Sequence, residues 1–188
     1  LADDLRERDF HGAERVVISS ASSRTGYAAA FCIGQLAGIE TVGLTSAGHR
    51  DFVAGLGLYS DVATYDDLER LDPNRPTLFI DVAGSDDVRR RIHAHLGDRL
   101  VHDTALGAAH RLDPPGPPAG LPGPEPVFFF APDWVARRQA EWGPGELERR
   151  TGQDTAGFYD YVRRRAIIDV RERRGLEAAR EIIGDMLR

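Results

Sequence analysis

Lysine is missing from this chain: all 24 basic residues are arginine. That excludes a P-loop phosphate lysine and Schiff-base chemistry on these residues. Cysteine occurs once, at Cys32, so no internal disulfide can form, which fits a reducing compartment. Cys32 falls in the expected first helix of the sheet and reads as a buried structural thiol rather than a nucleophile. With one cysteine and histidines that lack ligand spacing, no zinc cluster is expected and no metal is assigned. No apolar run is long enough to cross a bilayer. Basic excess is also lacking. The net charge of −6 speaks against a general nucleic-acid binder. The expectation is a cytoplasmic protein with neither membrane nor nucleic-acid partners.

What is present is an alternation of apolar runs and helical patterns. RVVISS (15–20), ETVGLTS (40–46), DVATY (61–65), PTLFIDVAG (76–84) and RLVHDTALG (99–107) read as strands. Helical patterns at Thr25 to Ala37, 49–57 and 86–97 separate them, the last two closed by Gly57 and Gly97. Strand and helix at this spacing give βαβ units and a parallel sheet covered on both faces. The fold class expected is α/β, a Rossmann-like doubly wound parallel sheet with C-terminal helices.

Residues 1–14 read as a helix and linker leading in from a portion that precedes Leu1, residues 15–131 as the nucleotide-binding domain, and 132–188 as a helical segment packed on it. The Pro- and Gly-rich stretch 110–126 interrupts the pattern before VFFFAP (127–132). After it, WVARRQAEW gives one helix, GPGELERR starts a second, FYDYVRRRAIIDVRERRG forms a third and EAAREIIGDML closes the chain. The arginine triplets at 89–91 and 163–165 read as solvated helix faces.

The first strand-to-helix turn carries the chemistry. Such a sheet binds ligands beyond the carboxyl ends of its strands, and the amides at the next helix N-terminus favour a pyrophosphate. ASSRTG (21–26) offers hydroxyls at Ser22, Ser23 and Thr25, a cationic fork at Arg24, and close helix packing at Gly26. The same residues read equally well as a plain serine N-cap. At the end of the second strand, where an acid would hold the ribose of NAD, stand Ser46 and Arg50, a pair suited to a 2′-phosphate. Here too a helix cap and a solvated arginine account for the same residues. Asp81, at the end of an apolar strand, is expected to accept hydrogen bonds from a neighbouring helix N-terminus rather than to act in catalysis.

Taken in order, RVVISSASSRTGYAAAFCI, VGLTSAGHRDFVAGLGLYSDVATYDDL, FIDVAGSDDVRRRIHAHLGDRLVHDTALGAAH and LPGPEPVFFFAPDWVARRQAEWGPGELERR resemble a bacterial family of unknown function. That family is related to the zinc-independent medium-chain dehydrogenases/reductases, the quinone and enoyl reductases. The resemblance implies strand order 3-2-1-4-5-6 and an N-terminal substrate domain before Leu1. It puts the glycine motif on Ala21, Ser23 and Gly26, of which only the third is glycine. It places Val82, Ala83 and Gly84 along the cofactor, and Thr104, Ala105, Leu106 and Gly107 near the nicotinamide, with His110 following. It also implies a homodimer, with FFFAP (128–132) at the sheet edge or a subunit contact.

The functional expectation is the cofactor half of an NADP(H)-dependent reductase acting on a carbonyl or an activated alkene of a small-molecule substrate. Its rival is a degenerate module that has lost the dinucleotide, or one that takes another nucleotide or an acyl-thioester. A hydrolase is disfavoured, since the serine run lacks the G-x-S-x-G elbow.

Overall fold

The computed structural model describes residues 1–36, 38–106, 120–168 and 174–186. Ala37, Gly107, His110 and most of the Pro- and Gly-rich stretch lie outside the described residues.

Six strands form one sheet in the order β3-β2-β1-β4-β5-β6. They are β1 (Arg15–Ile18), β2 (Glu40–Thr45), β3 (Asp61–Thr64), β4 (Thr77–Asp81), β5 (Leu100–Ala105) and β6 (Val127–Phe128). Every pair is parallel. Strand order reverses between β1 and β4, so the protein has the doubly wound Rossmann-like fold with its switch point at the first strand's end. Val17 sits in register with Val42 on one side and Phe79 on the other, so β1 is buried at every position and apolar from Val16 to Ile18.

Successive residues of each strand feed opposite layers. Val17, Leu44, Phe79 and Leu100 pack under α4 (Asp86–Leu96) with Ile92 and Leu96. Val16, Ile18, Leu78 and Ile80 pack under α1 (Ala2–Glu7) and α2 (Arg24–Gly34) with Leu5 and Ile33. α3 (Arg50–Leu56) stops at Gly57, whose φ of 64° supplies the left-handed cap its sequence announces.

Between α1 and β1 the chain makes a tight turn. Asp9, Phe10, His11 and Gly12 all have positive φ, and the His11 ring stacks on His102 of β5 with centroids 3.8 Å apart. Burial lowers the pKa of both rings; Arg8 lowers His11 further, and His11 does the same to His102.

Strand β6 covers two residues, and α5 (Ala131–Trp142) follows after Phe130 with Pro132 in its first turn. Two expectations need correction. The segments GPGELERR and FYDYVRRR belong to one continuous helix, α6 (Pro144–Arg164). It packs on α2 through Phe158, which faces Tyr27 and Phe31, and Tyr161 donates a 2.6 Å hydrogen bond to the Leu56 carbonyl. The arginine triplet at 89–91 is not simply a solvated face, because Arg89 is only 7% exposed. Helix α7 (Leu176–Met186) ends the described chain.

Candidate functional site

The β1 apolar run ends at Ser19, and the turn after it is fixed from three sides. The Ser19 N–H donates to the Ile80 carbonyl on β4, and the Ala21 N–H to the Leu44 carbonyl on β2. Two tyrosines flanking β3 complete the frame. Tyr65 Oη accepts from the Ser20 N–H at 2.8 Å, and Tyr59 Oη donates to the Ala21 carbonyl at 3.0 Å. Burial raises the pKa of both phenols, so they remain neutral donors and acceptors. Ser20 takes a φ of 50°, an uncommon conformation for a residue with a side chain.

Gly26 is required by contact. A Cβ there would lie 2.5 Å from the Ser20 carbonyl oxygen, so helix and turn approach as closely as the third glycine of a dinucleotide motif permits. Ala21 stands where the first glycine would, and its room comes from β2. Gly43 has no side chain, and a Cβ built there would meet Ala21 Cβ at 3.1 Å and the Tyr59 ring at 3.0 Å. Ser23, at the second glycine position, is the N-cap of α2, and its Oγ accepts from the Gly26 N–H at 3.1 Å. Ser22 is half-buried, and Arg24 and Thr25 are exposed on the first turn of α2. No acidic residue occupies that turn, whereas α4 begins with Asp86 and Asp87. The first turn of α2 therefore supplies no counter-charge to its own positive end.

The other expected residues line the same edge. Ser46 is exposed at the end of β2, with Oγ 2.8 Å from His49 Nδ1. The Arg50 guanidinium is 43% exposed, and the Asp51 carboxylate stands 4.0 Å from it. At the end of β4 the amides of Val82 and Ala83 donate inward to Ser19 Oγ at 2.9 and 3.0 Å, and the Gly84 N–H donates to Asp81 Oδ1. Thr104 is buried on β5 in register with Ile80, and Leu106 follows with its N–H on the Asp81 carbonyl. The turn, Ser46, Arg50 and the β4 loop thus share the strand carboxyl ends around the switch point. Thr104 sits on the face of the sheet that carries α1.

Sequence reasoning missed a buried polar chain beneath this edge. Ser19 Oγ donates to Asp81 Oδ1 at 2.8 Å. Arg89 from α4 bridges Asp81 at 2.8 Å and Asp103 at 2.9 Å. His93, one turn on, places Nε2 2.8 Å from Asp103 and Nδ1 2.7 Å from the Pro122 carbonyl. The ring is thus held between a carboxylate oxygen and a backbone carbonyl. Burial pushes the Asp81 carboxyl up, against the pull of Ser19, Arg89 and Gly84. Asp81 thus accepts from the residue ahead of α4, as its strand-end position suggested, but its chief partners are a serine and a buried arginine. The i, i+4 spacing of Arg89 and His93, on the stripe with Val88, Ile92 and Leu96, is the signal that could have found them.

Among the described residues no group of three or more His, Cys, Asp or Glu side chains could hold a metal ion. Nor is any described helix long and apolar enough to cross a membrane. No curated protein matches the chain. The family described as "Protein of unknown function (DUF2855)" matches residues 1–188, and the protein belongs to that family.

Proposed function

We propose that this chain is the cofactor-binding portion of an NADP(H)-dependent oxidoreductase, a carbonyl or activated-alkene reductase of the zinc-independent medium-chain type. What carries the reading is the start of α2. It abuts the switch point, lacks an acid in its first turn, presents Arg24, and comes within Cβ-excluding distance of the preceding turn at Gly26. A pyrophosphate fits that combination: backbone amides and the helix dipole face it, and Arg24 supplies a counter-charge. Ser46 and Arg50 suit a 2′-phosphate, since the guanidinium is partly exposed and only loosely paired with Asp51. The Val82–Gly84 loop would offer apolar surface rather than amides, because its N–H groups are already spent on Ser19 and Asp81. The cofactor supplies the hydride; this chain's residues bind it and orient it. The substrate, and a homodimer, belong to the same proposal.

A second reading rests on one observation. The Ser23 hydroxyl already caps Gly26 N–H, a group a phosphate would otherwise use. A module that keeps the fold and has lost the dinucleotide would look the same at that position.

Calorimetric titration of the chain with NADPH and NADH decides between them. Saturable binding that prefers NADPH is expected, with Arg50→Ala removing the preference and Arg24→Ala weakening both cofactors. A folded chain that binds neither refutes the oxidoreductase reading and favours the degenerate module.

A further inference from the structure

Four consecutive residues of the turn between α1 and β1 are left-handed: Asp9, Phe10, His11 and Gly12 have φ of 49°, 48°, 55° and 75°. The first three carry side chains, so each is strained there and stays only while its surroundings hold it. The strain is bracketed. The Arg8 N–H donates to the Asp4 carbonyl before the turn, and the Glu14 N–H to the Pro76 carbonyl after it. Inside it the His11 N–H donates to the Arg8 carbonyl and the Ala13 N–H to the Phe10 carbonyl, each at 3.0 Å. Phe10 is buried, and the His11 ring lies flat on His102 of β5 with planes 4° apart.

Flat stacking suits two neutral imidazoles and opposes two charged ones, whose like charges would stand on rings 3.8 Å apart. His11 Nε2 is buried without a hydrogen-bond partner, so a charged ring, with a proton on each nitrogen, would leave a buried N–H unanswered. The carboxylates nearby do not prevail. From α1, Arg8 adds a like charge, and Asp4 is paired with it at 3.2 Å. From β5, Asp103 is held by Arg89 and His93. From α5, Asp133 and Arg137 border the same cleft as His102, and Arg137 pairs with Glu7 and Glu141. Asp9 lines a separate hollow with Gln35 and Gly38. Burial outweighs them, and both ring pKa values lie below the ordinary 6.5. Helix α1 is moored apart from the turn: Asp3 and Glu7 pair with Arg138 of α5, and Leu5 is buried against the sheet.

We infer that the turn at 9–12 is a proton-released latch: with both imidazoles neutral it is held on β5, and with both charged it lets go of His102 and unwinds while α1 stays on α5. Rings freed from the stack bind protons more readily, so the latch is closed above pH 6.5 and opens as the pH falls below it. It operates whether or not a dinucleotide binds. The test is amide exchange by NMR on the whole chain at pH 7 and pH 5, corrected for the intrinsic rate at each pH. Opening at the His11 and Ala13 amides should rise roughly ten-fold in acid. Leu5 and Glu14, whose N–H groups bond to the Leu1 and Pro76 carbonyls, should not follow. His102→Phe keeps a flat ring beside His11, removes one charge, and should abolish the rise. Should that variant not fold, His11→Phe breaks the pair from the other side. The inference is overturned if the turn amides open equally at both pH values, if they open only together with Leu5 and Glu14, or if the rise persists in the folded variant.

Discussion

Gly26 and Ser23 do different work in the same turn, and substitution separates them. Gly26→Ala drives a methyl into the Ser20 carbonyl, which lies 2.5 Å from the built Cβ, and backbone displacement of this kind costs about 1–3 kcal/mol. Ser23→Ala removes only the cap and should cost ~1 kcal/mol. Urea unfolding of the two variants should therefore rank Gly26→Ala the more damaging. The His11 and His102 pair sets a pH dependence. Both folded pKa values lie below the ordinary 6.5, so the unfolded chain takes up protons first as the pH falls. Stability should hold above pH 6.5 and decline on acidification through the window below it. His102→Leu should flatten that decline in urea midpoints measured from pH 7 to pH 5.

At the scale of elements, α4 is fastened to the sheet by charge as well as by its apolar stripe. Arg89→Leu would leave the Asp81 and Asp103 carboxylates, both 0% exposed, without the cation between them. Removing one partner of a buried ion pair costs about 3–5 kcal/mol, so this variant should show a large loss in denaturant midpoint. The strands and the first helices were legible because their signals are local: continuous β-branched runs, and Gly57 and Gly97 as stops. The turn was legible as a form, though its role was open, since a serine cap and a phosphate cradle share residue types. Arg89 was hidden among three arginines in a row, and only its place on the stripe with Val88, Ile92 and Leu96 sets it apart from its neighbours. The continuity of α6 was hidden as well. Gly152 and Gly157 weaken helix propensity midway, and the packing of Phe158 on α2 supports the helix there.

At the scale of the whole molecule, α6 returns the C-terminal segment to the front half of the sheet. Phe158 meets Tyr27 and Phe31, and Tyr161 reaches the end of α3. Phe158→Ala should lower stability by about 2–3 kcal/mol, at the low end for an aromatic deletion because the ring is half-buried, and a thermal melt compared with the parent checks this. The sheet order has a consequence in time. β1 is made first among the strands, yet it lies between β2 and β4, and its closing partners are distant: Arg15 meets Thr77 and Ser19 meets Asp81, each 62 residues later. On a ribosome, RVVI must wait with one side open until β4 has emerged, and contacts of such long range make for slow folding. During that wait the segment is a substrate for chaperones that hold short apolar stretches, and the rate of synthesis between β1 and β4 sets how long it stays one.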